Sequence, residues 1–291
     1  MMRKMKTPIG IFMMSILLAT GLSAQDIDNS GACASTSKVA QIDNTPITCG
    51  IFRKIQSKVL GEERAVLVFL PVGYEKSDKA FPVLYKLDGD RDISLQAFSA
   101  LNYLVDMTDR APAHIVVGIE NTNRRRDMGK EADKFIQFIE TELIPFIDTN
   151  YRTHGYRILC GQSLSSVFAF NVFLKKPDLF DAYILASFGL RNTHVEAMYK
   201  KDLENNPSLK TVGKKFVFVT NGRKDSYDPD GSIAQRGERF LESMKQTVSA
   251  TVSVKSVYYD NEGHVPFSSI YDGLQWIYSK EMQEENKTRG E

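Results

Sequence analysis

The chain has no excess of either charge: 37 Lys and Arg stand against 36 Asp and Glu, a net charge of +1 over 291 residues. Binding to nucleic acid or to an anionic membrane surface needs clustered positive charge in excess, so neither partner is expected. Cysteine is scarce too, with three residues, none in a CxxC pair, and the four histidines are scattered. That pattern argues against a structural zinc site, and no cofactor is implied. No apolar run reaches the ~20 residues that a membrane-spanning helix requires. There is no internal repeat, and glycine and proline stand at ordinary levels. With 42% hydrophobic and 25% charged residues, the balance is that of a globular protein able to bury a sizeable core.

What the chain does have, at its start, is a targeting segment. Arg3, Lys4 and Lys6 precede the apolar stretch "IGIFMMSILLA", and "TGLSAQ" then supplies small residues for cleavage near Ala24. A short apolar core behind a basic flank reads as a secretory signal over residues 1–24, removed on export. The expected location is therefore periplasmic or secreted, in a bacterium, with no membrane span in the mature protein. Cys33 lies too far beyond the apolar core, and lacks a preceding leucine, for lipid attachment. Export permits disulfides, and Cys33 and Cys49 flank a short polar segment across which they can pair. Cys160 ends an apolar run and reads as a small buried hydrophobe. Residues 25–44 are polar and read as loose, 45–282 as one domain, and 283–291 as a charged, frayed tail.

Within the domain, short apolar runs alternate with helical periodicity. Runs 65–71 and 81–89 are rich in β-formers and end at Pro and Gly, and 114–120 is another buried-strand pattern. Spacing predicts a helix over 93–107 and the clearest one over 131–150. There Phe135, Phe138, Ile139, Leu143, Phe146 and Ile147 form one apolar stripe. Pro145 is expected to kink that helix or end it early. Strand and helix then alternate: 156–160, 164–175, 182–187, 193–205, 215–221, 232–246, 251–259 and 266–280. Such alternation predicts an α/β fold with a mostly parallel sheet covered on both faces. The run from Ile51 to Leu87 has strands and no helix, so antiparallel strands are expected at the N-terminal side.

The stretch "RILCGQSLSS" carries the chemistry. Gly161-Gln162-Ser163-Leu164-Ser165 nearly fits the G-x-S-x-G turn, on which a serine is lifted between a strand and a helix. The positions two residues either side of the serine must be almost bare, because strand and helix pass close together there. Gly161 meets that need; Ser165 puts a hydroxymethyl group where glycine is usual. Alone, the string reads rather as a serine capping a helix. Its place between a central strand and an amphipathic helix favours the nucleophile. An acid and a histidine also follow in the required order. Asp225 sits in the loop after 215–221, with Asp228 and Asp230 as close alternatives, and His264 sits in the loop after the last strand. Glu262 is too near His264 in sequence to be preferred. His114, His154 and His194 read as packing or surface residues.

Several blocks in order resemble one family. "VLYKLDGD", "VVGIENTNRRRD", "FIETELIPFIDTNYRT", "GQSLSS", "KKPDLFDAYI" and "GHVPFSSIYDGL", spread between Ile51 and Tyr278, are similar to the putative esterase (esterase D-like) family of α/β-hydrolases, especially its siderophore-esterase-like branch. The resemblance implies an α/β-hydrolase fold, with Ser163 as nucleophile, His264 as base and Asp225 as its orienter. It also implies an oxyanion hole made of the backbone N–H groups of Asp90 and Leu164. Two departures stand out. Ser165-Ser166 replace Gly-Gly, and "SFGLRNTH" replaces an aromatic-rich Ser-Pro-x-x-Trp-Trp-type segment.

The expected activity is that of an exported serine carboxylesterase acting on a small-molecule ester, siderophore and carbohydrate esters being the classes in view. Arg124, Arg125 and Arg126 form a basic patch after the 114–120 strand. Arg124 and Arg126 are candidates to hold an anionic substrate, against the plainer alternative of an Arg–Asp127 pair in a solvated loop. Two other functions remain open on sequence alone: a binding protein that kept the fold without turnover, and acyl transfer through the same triad. A histidine base must be neutral, and a free imidazole titrates at about 6.5. Esterase activity is therefore expected to rise from mildly acid to mildly alkaline pH; a flat pH–rate profile over that range would exclude a histidine base.

Overall fold

The computed structural model describes residues 49–289, with side chains through residue 279. The expected secretory signal over 1–24, residues 25–44, and Cys33 with its candidate pairing to Cys49 lie outside the described residues. Eight strands form one sheet: β1 (Ile51–Ser57), β2 (Glu62–Phe69), β3 (Phe81–Leu87), β4 (Ile115–Ile119), β5 (Thr153–Gln162), β6 (Ala182–Ala186), β7 (Lys215–Gly222) and β8 (Val252–Tyr259). Their spatial order is β1-β2-β4-β3-β5-β6-β7-β8. β2 runs antiparallel to both its neighbours, and every pairing from β4 through β3 to β8 is parallel. The fold is thus the α/β-hydrolase architecture, with its antiparallel strands at the N-terminal side.

The central strands are apolar on both sides because both faces are covered. Along β3 to β7 alternate side chains enter two separate cores. Tyr85, Leu159, Tyr183, Leu185, Val217 and Val219 face one, while Leu84, Ile158, Ile184, Phe216 and Phe218 face the other. The first core is roofed by α2 (Ala132–Phe138), α3 (Ile144–Asn150), α4 (Leu164–Lys175), α5 (Thr193–Asn205) and α6 (Ser232–Met244). α1 (Arg91–Asp106) and α7 (Ser269–Arg289) roof the second. Each parallel strand leads from its carboxyl end into a loop and then a helix, so the loops gather along one edge of the sheet, where open α/β sheets place their sites.

Two segments differ from expectation. Pro145 neither ends nor replaces the long helix. The chain passes from α2 through a π-turn over Ile139–Leu143 into α3, and the Ile144 N–H bonds to the Ile139 carbonyl. The wider turn shifts the hydrogen-bond register, so Pro145 falls in the first turn of α3, where no N–H is needed. The second is the C-terminus. α7 continues to Arg289, through most of the segment expected to be a loose tail. The run Glu-Met-Gln-Glu-Glu is built of good helix formers, and an existing helix extends at low cost.

A buried ion network anchors the loop after β4. Arg64 is 1% exposed; its Nη1 donates to Asp127 at 2.6 Å and to Glu62 at 2.9 Å, and its Nη2 to the Glu120 carbonyl at 3.3 Å. Arg126 completes the network, donating to the Asp127 carboxylate at 2.7 Å and to both oxygens of Glu62. A turn of π-helix over Arg126–Lys130, unforeseen from the sequence, is held this way.

Candidate active site

Ser163 stands between β5 and α4 with φ 55° and ψ −120°, a conformation that L-residues rarely adopt and that costs ~1–3 kcal/mol. Its backbone is secured on both sides. The N–H donates to the Ala186 carbonyl of β6 at 2.8 Å, and its carbonyl accepts from the N–H groups of Ser166 and Val167 and from the Ser166 hydroxyl. A Cβ on Gly161 would lie 2.3 Å from the Ser165 carbonyl oxygen, so only glycine fits two residues before the serine.

Two residues after it, Ser165 is fully buried and has an exact complement of partners. Its hydroxyl accepts from the Gln162 N–H at 2.7 Å and donates towards Asp88 Oδ2 at 2.7 Å, with the Gln162 carbonyl 2.9 Å away. Asp88, at the carboxyl end of β3, is the hub of this cluster. Arg124 grips it through Nε at 2.6 Å and Nη2 at 2.8 Å, and Asn121 donates to it at 2.8 Å. Arg124 Nη2 also reaches the Gln162 carbonyl at 3.0 Å. The side chain at the position where glycine is usual therefore belongs to a lock that joins β3, the loop after β4 and the serine turn. Burial pushes the Asp88 carboxyl up, but the hydrogen bonds from Arg124, Ser165 and Asn121 outweigh it and hold the group below the ordinary carboxylate range.

The acid and the histidine arrive from β7 and β8. His264 Nδ1 lies 2.7 Å from Asp225 Oδ2, and the other Asp225 oxygen accepts from the Tyr227 N–H at 2.8 Å. A carboxylate only accepts, so Nδ1 carries the proton and Nε2 is left to accept. The Tyr227 ring packs against the imidazole at 4.7 Å between centroids. The loop bearing His264 is clamped at its base: a Cβ on Gly222 would fall 2.1 Å from the Gly263 carbonyl oxygen, and the Val265 N–H donates to the Ser187 hydroxyl at 2.8 Å. Of the two alternative acids, Asp228 is occupied by the N–H groups of Ile233 and Ala234 at the start of α6, at 3.0 and 2.8 Å. Asp230 takes the Ser232 N–H at 3.1 Å.

Ser163, His264 and Asp225 line one cavity of about 480 Å³, together with Arg124, Arg125, Arg191 and Asn221. Among the described residues no hydrogen bond joins the Ser163 hydroxyl to His264, an unengaged geometry common before substrate binds. Leu164, the first residue of α4, also lines the cavity; Asp90 does not, and stands just before α1. Arg126 is corrected as a substrate-binding candidate: Glu62 and Asp127 consume its donors, and it does not line the cavity. Arg124 lines it, but its guanidinium is spent mainly on Asp88. His114 is buried, donates from Nδ1 to the Pro112 carbonyl at 2.6 Å and accepts at Nε2 from the Tyr278 hydroxyl at 2.5 Å, and burial pushes its pKa down to about 3. His154 lies in β5 and His194 in α5.

Asp88, Asn121, Ser187 and Asn221 escaped the sequence reading. The nearest signal for the first two was the unusual Ser165 itself, a buried hydroxyl that needed a partner.

A profile of the family described as "Putative esterase" matches residues 57–236. The uncharacterized protein YjcH of Bacillus subtilis is 28% identical over 202 residues, which cover 65% of this chain and 84% of that one. Among solved structures, an IroE-like serine hydrolase from Shewanella oneidensis superposes with a TM-score of 0.69 at 26% identity, over 79% of this chain and 80% of that one. The siderophore hydrolase EstA from Aspergillus nidulans has a TM-score of 0.66 at 17% identity, over 81% and 98%, a likeness of fold.

Two outcomes follow from the Asp88 lock. Ser165→Gly, although it restores the usual small residue, is expected to lower stability by about 1–3 kcal/mol in urea titration, because Asp88 and the Gln162 N–H each lose a partner. In acid, a carboxylate whose folded pKa lies below its unfolded value of 3.8 contributes in full above that pH. That contribution is lost as pH falls through the folded value, so Asp88→Asn should flatten the acid-unfolding slope below pH 3.8.

Proposed function

The chain belongs to the Putative esterase family, and from that membership we propose that it is an exported serine carboxylesterase working through Ser163, His264 and Asp225. The observation that carries the reading is the convergence of a strained serine turn with an Asp-oriented histidine on one cavity. In this reading His264 Nε2 takes the Ser163 proton as the oxygen attacks an ester carbonyl, while Asp225 fixes the tautomer and balances the imidazolium. His264 then gives that proton to the departing alcohol. Water, activated by the same nitrogen, releases the acid from the acyl-enzyme.

The N–H of Leu164, the first residue of α4 and on the cavity wall, is proposed as one donor to the carbonyl oxygen on which charge develops, and the N–H of Asp90 as the second. An inert binding protein is suggested by two departures, Ser165-Ser166 and "SFGLRNTH"; of these, Ser165 has a structural employment that leaves the serine turn in place. Siderophore and carbohydrate esters are the proposed substrate classes, and the periplasm or exterior of a bacterium the proposed location.

Stoichiometric labelling by a fluorophosphonate is expected on Ser163 and is expected to vanish in Ser163→Ala. Asp225→Asn should lose about 10³–10⁴-fold in kcat, whereas Asp228→Asn should act on stability first. Equal losses in both aspartate variants, or labelling that survives Ser163→Ala, would overturn the assignment.

A further inference from the structure

The cavity holds more positive charge than the proposed chemistry uses. Of the charged side chains that line it, Asp225 is engaged with His264, Asp228 with the start of α6, and Arg124 with Asp88. Arg125 and Arg191 remain. Both line the cavity, both are exposed, and neither has an ion-pair or hydrogen-bond partner among the described residues. They come from separate segments, the loop after β4 and the loop after β6. α4, α5 and α6 all begin at this cavity, and the positive ends of their dipoles add to the same field.

A second feature is independent of that charge. Asn221 is only 8% exposed, lines the cavity, and its amide has no hydrogen-bond partner among the described residues. Alternation along β7 puts it on the same face as Val217 and Val219, towards the cavity and away from Phe216 and Phe218. The amide opens onto the cavity, where its N–H groups and oxygen can bond a polar group held there.

We propose that Arg125, Arg191 and Asn221 select an ester that carries a free carboxylate elsewhere in the molecule. The inference rests on the serine-esterase reading. A carboxylate presents two oxygens in a plane, which a guanidinium fork matches and to which an amide N–H donates. At about 480 Å³ the cavity takes a small organic ester with both its scissile group and its charged end inside. The selective charge comes from Arg125 and Arg191, not from Arg124 and Arg126.

The test measures kcat/KM on two matched pairs of esters. Mono-4-nitrophenyl glutarate against 4-nitrophenyl butyrate places the charge in the acyl part; 4-acetoxybenzoate against its methyl ester places it in the alcohol part. The anionic member of one pair is expected to be at least ten-fold better. That ratio should fall towards one in Arg125→Gln, in Arg191→Gln and in their double variant. It should also fall in the unaltered protein when salt rises from about 0.01 M to about 1 M, which shortens the screening length from about 30 Å to about 3 Å. A purely structural role for the arginines would lower both members of a pair and leave the ratio standing. Hydrolysis of the neutral esters without preference for either anion, or a preference that survives the variants and the salt, overturns the inference while leaving the esterase reading intact. Failure to hydrolyse any of the four overturns both.

Discussion

A carboxylate taken out of water must be satisfied in full, and the buried Asp88 imposes that requirement on the whole edge of the sheet. Its partners come from two segments distant in sequence: Arg124 and Asn121 after β4, and Ser165 in the first turn of α4. Each partner fixes one loop against another. The Arg124 guanidinium, shared with the Gln162 carbonyl, reaches the residue just before Ser163. The strained conformation of Ser163 is thus held by hydrogen bonds from its surroundings, and the cost of that strain is borne by the packing of three strands.

The same economy appears at the other strand ends. Asp88, Ser163, Ser187 and Val265 all have positive φ, and all lie at the carboxyl edge. Where backbone approaches backbone most closely, at Gly161 and Gly222, side chains are excluded. Ser187 closes the frame by accepting from the Val265 N–H, which ties the histidine loop to the end of β6. Rigid strands, rather than the loops alone, set where the proposed nucleophile, base and acid can be. The helices that leave this edge also bring their positive ends to it, and two arginines without partners add to that field.

Much of the architecture was legible because it follows from local pattern. Continuous apolar strands between amphipathic helices require a sheet covered on both faces, and the order Ser, Asp, His across strand ends marks a hydrolase-like edge. At Pro145 the chain does not stop but interrupts its α-helix with a π-turn, which a residue-by-residue rule does not foresee and which moves the proline into a new first turn. The charged C-terminal segment is helical to Arg289, because its residues are good helix formers and extend an existing helix.

The sequence by itself determined the fold class and the strand-serine-helix turn, since these depend on periodicity and on spacing along a single stretch, and it offered His264 as the candidate base by its order after the last strand. Only the tertiary structure shows which carboxylate meets His264: Asp225 pairs with it, while Asp228 is occupied by the α6 N–H groups. It also decided the fates of the three arginines. In the sequence Arg124, Arg125 and Arg126 are one basic patch. In the fold the first locks the serine turn, the third is consumed by Glu62 and Asp127, and the second faces the cavity. The reason is physical: a charge's role is set by the opposite charges that folding brings beside it, and those lie up to 64 residues away along the chain.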